Sequence, residues 1–285
     1  MTANKEYSAV IVEYNSGDYL FSCIDSLMNQ TLLPKKIVVV NNGTSRTTLT
    51  KLQKYDRVHV INPSKNLGYA KAANLGIANT ESEIVATLNP DINLDPDCAQ
   101  ILVEYLKENN RVAVIGPMIF QTDGSIYPSA RKDPSIKIAI GHAIFSLFKK
   151  NNRFSNEYRN SNIEKDLPSK VDWLSGAALF LQRKPLDEVG LWDERYFMYC
   201  EDIDLCNSFR EKGYDCIYEP RAKIVHAGGI STSKTPIKLL FFHHKSLYLY
   251  TVKKYHNKPI IKPLALVFIG FRFPFAVIKR NINID

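Results

Sequence analysis

The stretch IVATLNPDINLDPD (residues 84–97) combines two features that indicate how the chain folds. An apolar run from Ile84 to Leu88 has the length and composition of a buried strand, and it stops at the tripeptide NPD (89–91). Proline cannot donate to a sheet ladder, so it ends the strand. We therefore expect Asp91 to be presented at a ligand cleft rather than buried, although these three residue types are also common in plain turns.

Four further apolar runs resemble this one, and segments of helical spacing separate them. The five runs are YSAVIVEYN (7–15), KKIVVVNNG (35–43), RVHVINPS (57–64), EIVATLNPD (83–91) and RVAVIGPMIF (111–120). Solidly apolar strands separated by helices predict an α/β fold, in which a mostly parallel sheet is covered on both faces. Ligands in such sheets bind beyond the carboxyl ends of the strands. The polar residues predicted at those ends are Tyr14, Asn41, Asn42, Asn66, Asn89 and Asp91.

The composition narrows the class of protein. The 285 residues are 45% hydrophobic and 23% charged, which are ordinary globular values. The net charge of +8 favours an anionic partner such as a phosphorylated ligand or an acidic membrane face. Nucleic acid is disfavoured because the Lys and Arg residues are dispersed and no reading motif accompanies them. Five scattered cysteines without a CxxC pair predict reduced thiols, and the N-terminus lacks a signal-peptide core, so we expect a cytoplasmic protein.

The C-terminal stretch KPLALVFIGFRFPFAVIKR (262–280) is apolar and aromatic with basic ends. Arg272 and Pro274 interrupt it, whereas a spanning helix needs roughly 20 consecutive apolar residues. We expect an amphipathic segment that lies on a membrane surface, with its Lys and Arg residues facing lipid phosphates. A terminal helix packed on the domain is the alternative.

The densest cluster of acidic residues lies in GLWDERYFMYCEDIDLCNSFREKGY (190–214). Helical spacing begins near Glu201, and at 100° per residue Asp202 and Asp204 point to nearly opposite sides of that helix. We expect Asp204 to stabilise the first helical turn, where free N–H groups favour a carboxylate. Asp202 is the better candidate for a general base, because a carboxyl beside aromatic residues in a partly dry pocket has a raised pKa.

Two other segments carry candidate residues. AKIVHAGGIST (222–232) predicts a strand that ends at His226, before a pair of glycines that allows a loop to fold over a ligand. His226 is a candidate to hold a divalent cation together with Asp91, or to bond a phosphate directly. VDWLSGAALFLQR (171–183) is predicted as one strand, whose small central residues Ser175 and Gly176 permit close approach of backbone or ligand.

Taken in order, seven motifs of this chain resemble those of family 2 glycosyltransferases with the GT-A fold, and in particular a rhamnosyltransferase-like branch that builds bacterial surface polysaccharides. The motifs are VEYN (12–15), QTLLPKKIVVVNNGT (30–44), NLGYAKAANLGI (66–77), LNPD (88–91), WLSGAALFLQR (173–183), GLWDERYFMYCEDIDLC (190–206) and VHAGGIS (225–231). The resemblance covers about residues 7–250. It implies a catalytic domain over residues 1–235, with a nucleotide-sugar half (1–120) and an acceptor half (121–235), followed by C-terminal helices over 236–285.

The resemblance also implies roles for residues at matching positions. Asp202 matches the catalytic base of the family, and Asp91 and His226 match residues that bind Mg²⁺ or Mn²⁺ on the diphosphate. The residues implied to contact the nucleotide sugar are Tyr14, Asn41, Asn42, Asn66, Gly68, Asn74 and Asn89. Those expected to contact the acceptor are Trp173, Ser175, Gly176 and Glu201.

Three positions depart from the family pattern. Residue 13 is Glu where Thr or Ser is common, Asn41 replaces an Asp, and Asn89 replaces the first Asp of the metal motif, although Asn-Pro-Asp is frequent in this branch. Asn41 keeps a carbonyl acceptor for a pyrimidine N–H. A metal site with one carboxylate is expected to borrow most of its ligands from the diphosphate and water.

The function implied is an inverting glycosyltransferase that moves L-rhamnose from dTDP-rhamnose to a glycan or polyprenyl-diphosphate-linked acceptor at the inner face of the cell membrane. A transferase for UDP-galactofuranose, UDP-N-acetylglucosamine or UDP-glucose is one alternative, and a non-catalytic membrane-associated binder of nucleotide sugars is another. A nucleotidyltransferase shares the layered fold, but it needs a Gly-rich basic loop after the first strand, and EYNSGDYL (13–20) has one Gly and no Lys or Arg.

Overall fold

A computed structural model of the chain describes residues 6–43, 50–133, 163, 166–228 and 236–282. The strands are β1 (Tyr7–Glu13), β2 (Lys36–Asn41), β3 (Val58–Ile61), β4 (Ile84–Leu88), β5 (Ile92–Leu94), β6 (Val112–Phe120), β7 (Ile126–Tyr127), β8 (Ala130–Arg131), β9 (Ser169–Val171), β10 (Trp173–Leu174), β11 (Ala178–Gln182) and β12 (Asp215–His226). The helices are α1 (Tyr19–Met28), α2 (Tyr69–Ile77), α3 (Cys98–Glu108), α4 (Arg183–Glu188), α5 (Glu201–Glu211), α6 (Pro236–Lys254) and α7 (Ile261–Ile282).

The predicted α/β fold is confirmed, and one sheet organises it. The central strand order is β3-β2-β1-β4-β11-β6-β12-β5. Strands β1 to β4 pair with one another in parallel, and β6 pairs with β12 in parallel. Strand β11 is antiparallel to both of its neighbours, β4 and β6. A separate two-stranded sheet joins β8 to β10.

Both faces of the sheet are covered, as the solidly apolar strands predict. Along β1, Ala9 and Ile11 belong to the hydrophobic cluster under α1 and α3, whereas Val10 and Val12 belong to the cluster on the opposite face. Helix α2 comes so close to β1 on that second face that a Cβ added at Gly76 lies 2.3 Å from Val10 Cγ1. Glycine at this position therefore permits the helix to seat against the sheet.

Two predicted elements differ in the structure. The run 171–183 is not one strand, because the backbone breaks at residues 175–177 between β10 and β11. The break places this segment beside the helix α5, as described below. The segment TTLTKLQKY (47–55) forms only a short 3-10 helix at Lys51–Lys54, and the part before residue 50 lies outside the described residues.

The C-terminal region consists of two long helices that contact each other. Ala265 and Ile269 of α7 are buried. Residues 261–278 of α7 form the one helix among the described residues that is long and apolar enough to cross a membrane.

Candidate active site

Three polar side chains meet at the carboxyl end of β4. His226 pairs with Ile92 in the register of β12 and β5, which brings His226 next to Asp91 although 135 residues separate them. His226 Nε2 lies 3.1 Å from Asp91 Oδ1 and 3.4 Å from Asn89 Nδ2. The Ala227 N–H also donates to the Asp91 carbonyl oxygen (3.0 Å).

The expectation that Asp91 is presented openly is wrong, because its side chain is 8% exposed. The reason is that the chain does not leave the sheet after residue 91. It continues directly into β5, which pairs with the end of β12 and covers the carboxylate. Asp91 is therefore held in place by its partner strand, with His226 as its nearest polar side chain.

Asp202 stands in the first turn of α5, and two backbone N–H groups hold its carboxylate. Gly176 N donates to Oδ2 at 3.0 Å, and Ile203 N donates to Oδ1 at 2.9 Å. A Cβ added at Gly176 lies 3.3 Å from Asp202 Cβ, so the small residue at this position permits the close approach. Burial raises the pKa of the Asp202 carboxyl, while the two N–H donors and the charge of Arg131 oppose that rise. Such a carboxylate is suited to accept a proton near neutral pH.

Glu201, the residue before Asp202, has a different environment. Its Oε2 atom is buried and has no hydrogen-bond partner among the residues the structure describes. Burial, and next the negative charge of Asp202, raise the pKa of Glu201 to about 8. At neutral pH the adjacent carboxyls therefore differ in charge, with Glu201 protonated.

Adjacent backbone groups connect Asp202 to the Asn89–Asp91–His226 group. At the break at residues 175–177, the Gly176 N–H donates to Asp202. The carbonyl of the next residue, Ala177, accepts a hydrogen bond from Asn89 N (2.9 Å). Tyr69 OH also donates to the Gly176 carbonyl (3.2 Å). The structure thus brings the proposed base and the Asp91–His226 pair to the same edge of the sheet.

Three of the residues predicted to contact the nucleotide, all asparagines, shape the loops at the neighbouring strand ends. Asn42 binds the loop before α2, accepting from Leu67 N (2.7 Å) and donating to the Gly68 carbonyl (3.1 Å). Asn66 Oδ1 accepts from Gly68 N (2.8 Å), and Asn41 donates to Asn62 Oδ1 (2.9 Å). Their amides therefore build the wall of the site.

Tyr14 and Gly68 each lie in close contact with a neighbouring segment of the chain. The Tyr14 ring lies over Gly43, where an added Cβ falls 2.7 Å from Cε2 of the ring. Gly68 has a φ of +80°, and an added Cβ there falls 2.5 Å from the Phe197 carbonyl oxygen. Tyr69 N donates to the same oxygen (2.8 Å), so the loop before α2 is attached to the segment that leads into Glu201.

Asn74 is not among the residues that the structure brings together. Its side chain donates to the Trp192 carbonyl (2.9 Å) and accepts from Trp192 N (3.1 Å), which makes it a support for that segment. Asn74 and Trp192 line a cavity of about 670 Å³ that also includes Lys253. None of Asp91, Asp202 and His226 lines this cavity, so we do not include it in the site.

On the acceptor side, Trp173 and Ser175 are mainly structural neighbours of the base. Trp173 is 5% exposed and donates from Nε1 to the Lys132 carbonyl (3.2 Å), while Ser175 N donates to the Ser129 carbonyl (2.8 Å). The Arg131 guanidinium lies 4.8 Å from the Trp173 ring centroid. Sequence reasoning missed Arg131, because its approach to this site depends on the pairing of β8 with β10.

Asp204 does not stabilise the start of α5 in the way expected. Its carboxylate turns into the interior, where it accepts from Lys253 Nζ (2.6 Å) and from Tyr196 OH (3.2 Å). Lys253 belongs to α6, so this buried ion pair binds the C-terminal helix to the acidic segment. Of the N–H groups in the first turn of α5, that of Ile203 is bonded by Asp202 instead.

Helix α6 also contacts the turn before Glu201, a feature without a sequence signal. Tyr199 and Cys200 have φ values of 70° and 63°, the left-handed region that non-glycine residues rarely occupy. Ser246 of α6 donates to the Met198 carbonyl (2.8 Å), and Phe242 stacks on Phe197 with ring centroids 4.3 Å apart. The turn that positions the acidic pair is thus held from the C-terminal side.

Few side chains near Asp91 and His226 could act as metal ligands. Within the described ranges, no group of three or more His, Cys, Asp and Glu side chains converges on one point. One carboxylate, one imidazole and the nearby Asn89 amide are the side chains in question. Such a set matches a hard divalent cation that takes its other ligands from a diphosphate and water.

Comparison with known proteins adds the following. The sequence matches the family described as glycosyl transferase family 2 over residues 8–189. It is 34% identical, over 260 residues, to an N-acetylglucosaminyl-diphospho-decaprenol L-rhamnosyltransferase of Mycobacterium tuberculosis. The aligned region covers 86% of this chain and 84% of that protein. It is 25% identical over 254 residues to rhamnosyltransferase WbbL of Escherichia coli, covering 86% and 92% of the two chains.

Solved structures share the fold. The mannosyltransferase PcManGT of Pyrobaculum calidifontis, in complex with GDP-Man and Mn²⁺, has a TM-score of 0.60 at 16% identity and covers 95% of this chain and 72% of its own. GalNAc-T7 with UDP, GalNAc and Mn²⁺ has a TM-score of 0.59 at 16% identity, covering 79% and 44%. At this identity the similarity shows the GT-A fold and nothing about substrates.

Proposed function

The chain belongs to glycosyl transferase family 2, and from this premise we propose that it is an inverting rhamnosyltransferase of cell-surface polysaccharide synthesis. Its donor is a nucleotide-diphosphate sugar, for which we propose dTDP-rhamnose, and its acceptor is a sugar linked to a polyprenyl diphosphate. One observation carries the mechanism: Asp202 and the Asp91–His226 pair lie at one sheet edge, connected through the adjacent residues Gly176 and Ala177.

We propose that Asp91 and His226 hold a divalent cation, Mg²⁺ or Mn²⁺, against the donor diphosphate. Asp91 Oδ1 and His226 Nε2 already lie 3.1 Å apart, and both are ligand atoms that such cations accept. Among the residues that the structure describes, no third such ligand converges on this pair, so we expect affinity for the cation to depend on the diphosphate itself. When bound, the cation offsets the negative charge that develops on the leaving group.

On the other side of the reacting carbon, Asp202 acts as the general base. Its carboxylate removes the proton from the acceptor hydroxyl as that oxygen attacks the anomeric carbon and the bond to the diphosphate breaks. The two backbone N–H donors keep the carboxylate in a fixed orientation throughout. Attack from the side opposite to the leaving diphosphate inverts the configuration of that carbon.

The proposals of rhamnose as the sugar and of a lipid-linked acceptor are supported by the relatives. The M. tuberculosis protein named as an N-acetylglucosaminyl-diphospho-decaprenol L-rhamnosyltransferase spans 86% of this chain, and WbbL is also named as a rhamnosyltransferase. An acceptor on a polyprenyl chain is anchored in a bilayer. We therefore propose that the enzyme works at the cytoplasmic surface of the membrane as a peripheral protein.

A donor screen tests this function directly. The full-length protein is incubated with N-acetylglucosaminyl-diphospho-polyprenol and Mg²⁺ or Mn²⁺, and released nucleotide is measured for dTDP-rhamnose, UDP-glucose, UDP-galactofuranose and UDP-N-acetylglucosamine in parallel. We expect acceptor-dependent release of dTDP that stops when the metal is chelated. Turnover with a UDP-sugar alone overturns the choice of rhamnose, and no turnover with any donor overturns the transferase function.

A further inference from the structure

The net positive charge of the chain comes from its C-terminal segment, residues 236–285. Residues 236–285 contain nine of the 37 Lys and Arg residues and only one of the 29 Asp and Glu residues, so this segment alone carries the surplus of eight. Residues 1–235 hold 28 of each kind and have no net charge. Such asymmetry indicates a segment that meets an anionic surface rather than a generally basic protein.

Helix α7 presents two different faces. Its inner face packs on α6, and Ala265 and Ile269 are buried there. The outer face is apolar but uncovered, with side chains that are 55% to 70% exposed. These exposed residues are Leu264, Leu266, Val267, Phe271, Phe275 and Ile278. A helix exposed to water on this side normally carries polar residues there.

Exposed basic side chains accompany this apolar face on both C-terminal helices and on the segment between them. Lys258 and Lys262, at the beginning of α7, are both exposed, as are Lys238 and Lys245 of α6. No acidic residue occurs between 236 and 282. Apolar side chains flanked by exposed lysines are complementary to a lipid leaflet with anionic headgroups.

The packing of α7 favours a helix lying in the plane of the membrane over one that crosses it. Arg272, in the middle of the apolar stretch, is hydrogen-bonded to His244 of α6 (Nη1 to Nε2, 2.8 Å). Helix α6 is in turn attached to the catalytic body, because Lys253 bonds Asp193 and Asp204 and Lys254 bonds Asp133. Moving α7 across a bilayer breaks its packing on α6 and the bond between Arg272 and His244, whereas docking its outer face keeps both.

We propose that the outer face of α7 and the lysines beside it form a docking surface for an anionic lipid leaflet, with the helix parallel to the membrane. This inference rests on the proposed function, since it explains how the enzyme reaches a polyprenyl-linked acceptor. The six exposed side chains enter the acyl region while the lysines stay among the headgroups.

Vesicle cosedimentation of the full-length protein tests the surface. We expect binding to vesicles of phosphatidylcholine mixed with phosphatidylglycerol, weaker binding to phosphatidylcholine alone, and a loss of binding as salt is raised. Phe271 and Phe275 are exposed in the protein and would be buried in lipid on docking. Replacing both lowers affinity for the membrane by about tenfold or more, so F271S/F275S is expected to lose binding. The matched control is L167S, which replaces a residue that is 63% exposed on the catalytic body, and it is expected to bind like wild type.

Turnover of a short-chain, water-soluble acceptor separates this proposal from the proposed function. F271S/F275S is expected to keep wild-type turnover with that acceptor and to lose it with a polyprenyl acceptor in vesicles. Vesicle binding by F271S/F275S equal to wild type overturns the surface. Wild-type protein that resists extraction from vesicles by alkaline carbonate overturns the in-plane arrangement. No turnover with either acceptor, while vesicle binding follows the pattern above, overturns the transferase function and leaves the lipid surface intact.

Discussion

At the scale of single residues, two consecutive carboxyls differ because of what surrounds each of them. Asp202 has two backbone N–H donors and the nearby charge of Arg131 to stabilise its ionised form. Glu201 Oε2 is buried with no partner among the described residues, so the proton remains on Glu201. The structure therefore gives Asp202 the environment of a base and Glu201 that of a neutral acid.

The role of Asp202 is tested by Asp202→Asn. Asn keeps the size of the side chain and an oxygen for one of the two backbone donors, but it cannot take a proton. We expect kcat to fall by ~10²–10⁴-fold, the usual contribution of a positioned general base. Thermal unfolding is expected to stay close to that of wild type, and Asp123→Asn, at an exposed turn, serves as control. Wild-type kcat in Asp202→Asn excludes this residue as the base.

The state of Glu201 is tested by the pH dependence of Glu201→Gln. The carboxyl is neutral below about pH 8, and above this it places a second charge beside Asp202. We expect wild-type kcat to decline through this range. Glu201→Gln, which imitates the neutral acid, is expected to retain neutral-pH activity without that alkaline decline. An identical decline in the variant contradicts the assignment, and Glu108→Gln is the control.

The raised pKa of Glu201 also makes the stability of the fold depend on pH. Between the ordinary value of 4.5 and about 8, the folded chain keeps a proton on Glu201 that the unfolded chain releases. Stability therefore falls as pH rises through this window. The melting temperature of Glu201→Gln is expected to exceed that of wild type by a margin that grows from the acid to the alkaline end.

At the scale of elements, the turn before α5 is held by a helix from the far end of the chain. Tyr199 and Cys200 both occupy the left-handed region, which costs of order 1–3 kcal/mol for each such residue. Ser246 of α6, which is 2% exposed, bonds the Met198 carbonyl and opposes that strain. We expect Ser246 to act as a positioning residue for Asp202.

Ser246→Ala removes this hydrogen bond from the half-buried Met198 residue, a loss of about 0.5–1.5 kcal/mol. We expect about a tenfold lower kcat with the donor KM nearly unchanged, because the turn and its acid pair move while the nucleotide loops do not. The control is Thr251→Ala, whose hydroxyl bonds Leu247 within the same helix. A proportional rise in donor KM, or an unchanged kcat, argues against positioning.

The loop that begins α2 provides a matched pair of glycine variants. Gly68 and Gly124 have φ values of 80° and 81°, which strain alanine at either position, and the ψ of 173° at Gly68 belongs to a region that essentially only glycine occupies. Only Gly68 also faces the Phe197 backbone, 2.5 Å from an added Cβ, whereas Gly124 faces open space. In urea unfolding we expect Gly68→Ala to lose about 1–3 kcal/mol more than Gly124→Ala. Equal losses contradict the close contact.

Elements whose signal is local were predictable from the sequence, and contacts between distant segments were not. The apolar run at 84–88 and the proline after it predicted the end of β4, and Asp91 and His226 do meet at that edge. The break at residues 175–177 was missed, because small apolar residues suit a strand as well as a turn. Ser246 and Arg131 were missed because pairing that no local pattern encodes brings them to the site.

At the scale of the whole molecule, the site lies where two chemically different regions meet. Strands β4, β5 and β12 bring the Asp91–His226 pair to the sheet edge, while α5 brings Asp202 from the second half of the chain. Residues 1–235, which have no net charge, are followed by the strongly basic segment 236–285 that contains α6 and α7. This arrangement fits an enzyme that takes a soluble anionic donor on one side and a membrane-anchored acceptor on the other.

The central claim is that the diphosphate, at Asp91 and His226, and the base, Asp202, flank one sugar from opposite sides. The most direct test is the anomeric configuration of the product, read by NMR from the one-bond carbon–hydrogen coupling of the transferred sugar. The opposed arrangement predicts a configuration opposite to that of the sugar in the donor. A product that retains the donor configuration contradicts it, because the attacking hydroxyl then approaches from the side of the diphosphate.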